Sequence, residues 1–125
     1  MPPDPTILDL LTALAEPTRL RIVNCLAAAP LFVSELQAIL GVPQPTVSRH
    51  LRVLRDVGLV RDTPIAQFVL YRLRRPAEPL GRVLGAVLEA SQQDPSLVGE
   101  RSDAMARSRL HTRIRVETDT EGHPA

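Results

Sequence analysis

Ile7, Leu10, Leu11 and Leu14 recur at i, i+3, i+4 and i+7, with Leu8 widening the stripe, and predict an amphipathic helix over about 6–15. Pro17 suits the first turn of a second helix, "PTRLRIVNCLAAA", which buries Ile22, Val23 and Leu26 and stops near Pro30. A short third helix, "VSELQAIL", ends at Gly41, a residue that accepts the left-handed conformation of a C′ position. After the turn "GVP", a fourth helix runs from Gln44 to about Val57 and closes at Gly58, with Val47, Leu51 and Leu54 on its inner face. "LVRDT" and "QFVLYRL", separated by "PIA", read as a two-stranded hairpin in which Pro64 limits pairing at the tip. Leu80, Val83, Leu84, Val87 and Leu88 mark a further helix over about 77–91. Beyond Pro95 the periodicity fades: 96–109 reads as helix, and "RLHTRIRVET" alternates like a strand or forms a disordered basic tail.

A helix, a tight turn containing Gly, a second helix and then a hairpin define a winged helix-turn-helix. The expected fold class is therefore mainly α with a small β-hairpin wing and α-helical dimerisation elements at both ends. Residues 1–5 form a frayed N-terminus, 6–92 the winged domain, and 93–125 a C-terminal extension, part helix and part disordered. The two outer stripes, Ile7, Leu10, Leu11 and Leu14 with Leu80, Leu84, Val87 and Leu88, offer more apolar surface than so small a domain readily covers. They are expected to meet their symmetry mates in a four-helix homodimer interface.

Length and composition narrow the class. The 125 residues suit one domain, and with only 2% aromatic residues the core must be built from Leu, Val, Ile and Ala. There is no run of 18 apolar residues and no basic leader before the first apolar stretch, so neither a membrane span nor an export signal is expected and the cytoplasm is the expected compartment. The single cysteine excludes an intrachain disulfide. No Gly-rich phosphate loop, nucleophile elbow or paired-carboxylate pocket stands out, so no enzyme is expected, and no cofactor.

Charge adds a partner. Net charge is only +1 and all 15 basic residues are Arg, but seven of them lie between Arg49 and Arg75 against two aspartates. On the fourth helix Ser48, Arg49 and Arg52 point away from the apolar face, with Gln44 and Thr46 at its exposed start. Gln reads adenine in bidentate fashion, Ser and Thr serve base or phosphate, and Arg reads guanine O6 and N7. The expected partner is double-stranded DNA.

These stretches resemble the ArsR/SmtB family of bacterial winged-helix repressors: "EPTRLRI" at Glu16–Ile22, "VSEL" at Val33–Leu36, "QPTVSRHLRVLRDVGLV" at Gln44–Val60 and "YRL" at Tyr71–Leu73. The resemblance implies a homodimer on an inverted-repeat operator, released by an inducer. It also implies that Gln44, Thr46, Ser48 and Arg49 contact bases, that Arg52 reaches the backbone, and that Arg61 and Arg72 do so from the wing. His50, toward the flank of the buried side, reads as a packed histidine. Two departures stand out. Pro43 replaces the family's usual hydroxyl N-cap, and the wing tip "TPIAQ" lacks a Gly- and Arg-rich turn.

The inducer is unidentified. "VSEL" holds no Cys-x-Cys, the 77–91 helix holds no His, and Asp103 and His111 fall about 80° apart on a helix, so no metal site is expected. Cys25 reads as an inert core residue, with a lesser reading as a thiol sensor because Arg21 one turn earlier would lower its pKa. A second functional class also stays open: a winged-helix module whose basic face, with the Arg-rich 107–115 segment, takes an acidic protein partner.

Overall fold

The computed structural model describes the backbone of residues 4–122 and side-chain surroundings through His111. Its elements run α1 (Ile7–Leu14), α2 (Pro17–Ala28), β1 (Leu31–Phe32), α3 (Val33–Leu40), α4 (Gln44–Asp56), β2 (Val60–Ile65), β3 (Phe68–Leu73), α5 (Leu80–Ala90), a 3-10 turn (Ser91–Gln93) and α6 (Pro95–Gly122). The expected winged helix-turn-helix is present. No helix among the described residues is long and apolar enough to cross a membrane.

Local chemistry sets the boundaries. Thr6 and Asp9 form a reciprocal capping box at the start of α1. The Glu16 carboxylate accepts from the Arg19 N–H at 2.8 Å to cap α2, with Pro17 at N1. The Arg19 guanidinium then turns back onto the carbonyls of Thr12 and Ala13, at 3.2 and 2.9 Å, and closes the C-terminus of α1. Gly41, at φ 69°, ends α3 as expected. At the end of α4 the Leu59 N–H reaches Leu54 O at 2.9 Å and the Gly58 N–H reaches Arg55 O at 3.0 Å, with Gly58 at φ 83°. That is a Schellman motif, and its accompanying apolar contact joins Leu54 to Leu59, both fully buried.

The sheet has three strands in the order β1-β3-β2, all antiparallel. The two-residue β1, too short for an alternation signal, was not legible in the sequence. Pro64 does not limit pairing: it sits opposite Val69 inside the ladder. The edge position of β2 makes this cheap, because a missing N–H on an outward side breaks no ladder bond. The hairpin turns at Ala66, which takes φ 54°, a left-handed conformation usually left to Gly or Asn.

One core joins α1, α2, α3, α4, the sheet, α5 and α6, centred on Leu10, Ile22, Val23, Leu31, Leu36, Leu51, Leu54, Leu59 and Leu84. This corrects half of the expected dimer set. Leu10, Leu14, Leu84 and Leu88 are buried within the single chain, because α1 packs on both α2 and α5. Ile7, Leu8 and Leu11 remain exposed, and Leu80 and Val87 half-buried. The 109–118 stretch, with its strand-like alternation, lies within helix α6.

Candidate nucleic-acid interface

Helix α4 opens without a side-chain cap, since its N-cap residue is Pro43. Pro45 brings no N–H, and the amides of Thr46 and Val47 both point at the Pro43 carbonyl, at 3.0 and 3.2 Å. The start of the helix therefore offers few free backbone donors, and recognition there depends on side chains. Val47, Leu51 and Leu54 are buried against the core and hold the opposite face outward. On that face Gln44, Arg49 and Arg52 are exposed, and Thr46 and Ser48 half-buried. The Gln44 amide donates to Ser48 Oγ at 3.3 Å, a one-turn contact that orients the glutamine. These five residues are brought together as the sequence indicated.

The arginines divide into structural and free. Arg55 pairs with Asp62 of β2 at 3.2 Å and fastens the hairpin to α4. Arg74 donates to Gly58 O and to the Asp4 carboxylate, both at 2.9 Å, and pins the turn between α4 and β2. Arg49, Arg52, Arg61 and Arg72 have no carboxylate partner among the described residues. The register does not bring all four together. Asp62 and Tyr71 face α4, so Arg61 and Arg72, one position along each strand, point to the other side of the sheet. They also lie toward the base of the hairpin, leaving the tip uncharged. They form a separate basic patch.

Between α3, α4 and the hairpin runs an open cleft of about 380 Å³, bordered by Ser34, Gln37, Gln44, Ser48, Gln67 and Tyr71. Gln37 and Gln67 were missed in the sequence, where nothing but polarity marks them. Burial, with help from Asp62, pushes the Tyr71 phenol above its ordinary value. His50 is packed as expected, 3.4 Å from the Arg19 guanidinium and 3.7 Å from the Glu16 carboxylate.

The surroundings of Cys25 run against its reading as a thiol sensor. The side chain is fully buried, its Sγ donating toward Glu100 O at 3.9 Å. Burial pushes the thiol up to about 12, with the Glu100 carboxylate adding to the rise and Arg21 opposing it too weakly to matter. Arg21 is instead engaged by Glu100, whose hydrogen bonds raise the guanidinium's own pKa. No group of three or more metal-ligating side chains occurs among the described residues, and Asp103 is held by Arg107 at 3.0 Å.

A helix with an outward polar and basic face, a turn before it and a hairpin after it define a winged helix-turn-helix. The family model described as "Bacterial regulatory protein, arsR family" matches residues 16–62. The HTH-type transcriptional repressor SmtB of Mycobacterium tuberculosis is 46% identical over 76 residues, covering 58% of this chain and 56% of that protein. The chain thus spans about half the length of the curated relatives it matches. Among solved structures, HlyU from Vibrio cholerae superposes with a TM-score of 0.59 at 32% identity, over 66% of this chain and 88% of that one. The transcriptional repressor BigR from Xylella fastidiosa gives 0.58 at 31% identity, over 67% and 84%. The chain belongs to the ArsR/SmtB family.

Proposed function

We propose that this protein is a sequence-specific, DNA-binding transcriptional repressor that acts in the cytoplasm as a homodimer on an inverted-repeat operator and is released by an inducer of unidentified chemistry. The observation that carries the proposal is the outer face of α4. Gln44, Thr46, Ser48, Arg49 and Arg52 stand together on a rigid, core-anchored helix, and Arg49 and Arg52 are not neutralised by any described carboxylate. Unpaired guanidinium groups beside amide and hydroxyl groups suit phosphate and base edges together. Family membership supports the same reading, since relatives carry the names of transcriptional repressors.

The dimer supplies geometry. Ile7, Leu8 and Leu11 leave an exposed apolar strip on α1, flanked by half-buried Leu80 and Val87 of α5. A second copy covering it would have to place the two α4 helices about 34–36 Å apart, one turn of duplex, for both to enter the major groove. Arg61 and Arg72 would meet phosphates flanking the half-site. A gel shift on the protein's own upstream region across a salt series tests the proposal. Preference over random duplex and a steep loss of affinity with salt are expected. Absence of binding to any duplex at low salt, with retention on an acidic protein, would replace it by the interaction-module reading.

A further inference from the structure

Helix α6 lies beyond the segment that the family model matches, yet it is fastened to the chain at two separate levels. The upper level holds it to the core. Arg21 of α2 pairs with Glu100, the fully buried Asn24 amide donates to Leu97 O at 2.8 Å, and Ala104 is fully buried beside them. The lower level holds it to the reading head. His111 Nδ1 lies 3.0 Å from both oxygens of Glu35, the third residue of α3. An ionised carboxylate only accepts, so Nδ1 carries the proton of this contact. Glu35 Oε1 also accepts the Phe32 N–H at 2.9 Å and so closes the first turn of α3.

Phe32 extends the junction. Its backbone pairs with Leu70 of β3, and its ring meets His111 edge-on at 5.3 Å and Phe68, at the wing tip, at 6.0 Å. One node of four side chains thus ties α6 to the helix that packs on α4 and to the hairpin beside it. The upper level already secures α6, so this lower contact is not needed to keep the helix on the domain.

We infer that His111 and Glu35 are positioning residues for DNA reading: through Phe32 they make α6 a brace that holds the wing and the α3–α4 pair at a fixed mutual attitude. This rests on the DNA-binding reading above and adds a role for the C-terminal extension. A braced wing enters the complex with less motion left to lose, so affinity gains from preorganisation and not from a new contact. Neither residue touches phosphate in this scheme, and the salt dependence of binding is independent of them.

The test uses the full-length chain and a fluorescent duplex from its own upstream region, titrated by anisotropy over a salt series, with each variant's unfolding midpoint followed by circular dichroism. His111→Ala and Glu35→Gln are expected each to weaken specific binding by at least about fivefold, on the scale of typical coupling between sites. The double variant is expected to lose no more than either single one, and all salt slopes to match the wild type. His111→Asn, whose amide nitrogen takes the place of Nδ1, is expected to restore affinity. Glu35→Gln keeps a residue able to cap α3, so it decides the matter if His111→Ala fails to fold. Wild-type affinity in the folded variants, additive losses, or a changed salt slope would overturn the brace alone. A wild-type chain with no sequence preference would overturn the DNA-binding reading itself, and the brace with it.

Discussion

Arg61 on β2 and Arg72 on β3 sit directly opposite one another across the hairpin, on the sheet face turned away from α4. Like charges facing across a ladder destabilise it, and neither arginine has a carboxylate partner among the described residues. One position along, Asp62 shows what a stabilising choice looks like, since it pairs with Arg55. In the proposed complex, DNA phosphates would neutralise this pair.

Arg72→Glu converts the repulsive pair into an attractive one. It is expected to stabilise the hairpin by about 0.2–1 kcal/mol. Affinity for the operator should fall at the same time, with the salt slope reduced by roughly one. Thermal unfolding and salt-dependent anisotropy measure the two effects. A stabilised variant with an unchanged salt slope would remove the wing arginines from the interface.

Arg49 and Arg52 are both exposed on α4, and three residues apart they are expected to play different parts. Arg49→Ala is expected to cost about 1–3 kcal/mol on the cognate sequence and to relax preference at one base pair. Arg52→Ala should weaken all sequences alike and lower the salt slope by about one. Competition titrations with single-base operator variants separate the two outcomes, and the reverse assignment would exchange the roles.

What the sequence made legible follows the strength of its periodic signals. Helices α1 to α5 carry stripes or firm punctuation, such as Pro17, Gly41 and Gly58, and their bounds lie within a few residues of expectation. The α4 face was legible because its inner leucines and outer polar groups separate cleanly. Helix α6 was legible only over 96–109 and neither its extension beyond nor its docking was, since its apolar and polar residues are spread almost evenly around the axis and it docks through Glu100, Leu97 and His111. Which stripe residues face the chain's own core was also hidden. Ile7 and Leu10 read alike in a helical pattern, and only the docking of α5 and α2 distinguishes them. Arg61 and Arg72 were found, but their sheet face depends on a register that no single strand reveals.

The split of α1 into buried and exposed leucines gives a separable pair of effects. Leu10→Ala, a cavity in the core, is expected to cost about 2–5 kcal/mol of folding stability. Leu8→Ser with Leu11→Ser alters exposed positions and should leave the folded chain intact while shifting sedimentation from dimer to monomer. Wild-type sedimentation in that double variant would place the interface elsewhere.

Cys25 should be chemically silent in the folded protein. With the thiol pushed up to about 12, a thiol reagent at pH 8 is expected to label it only after denaturant is added. Linkage gives a second signature. The folded-state pKa is raised above the ordinary 9.0, so the stabilisation is complete below pH 9.0 and is lost as pH rises through about 12. Tyr71, also raised, acts in the same direction. Rapid labelling of the native chain would contradict the buried environment.

The most direct measurement of the central claim is selection of bound duplexes from a random pool by the intact protein, followed by sequencing. The account predicts an inverted repeat whose half-site centres lie about 10–10.5 base pairs apart, the separation two α4 helices need to enter successive major grooves. A pool that stays random after repeated rounds would contradict it.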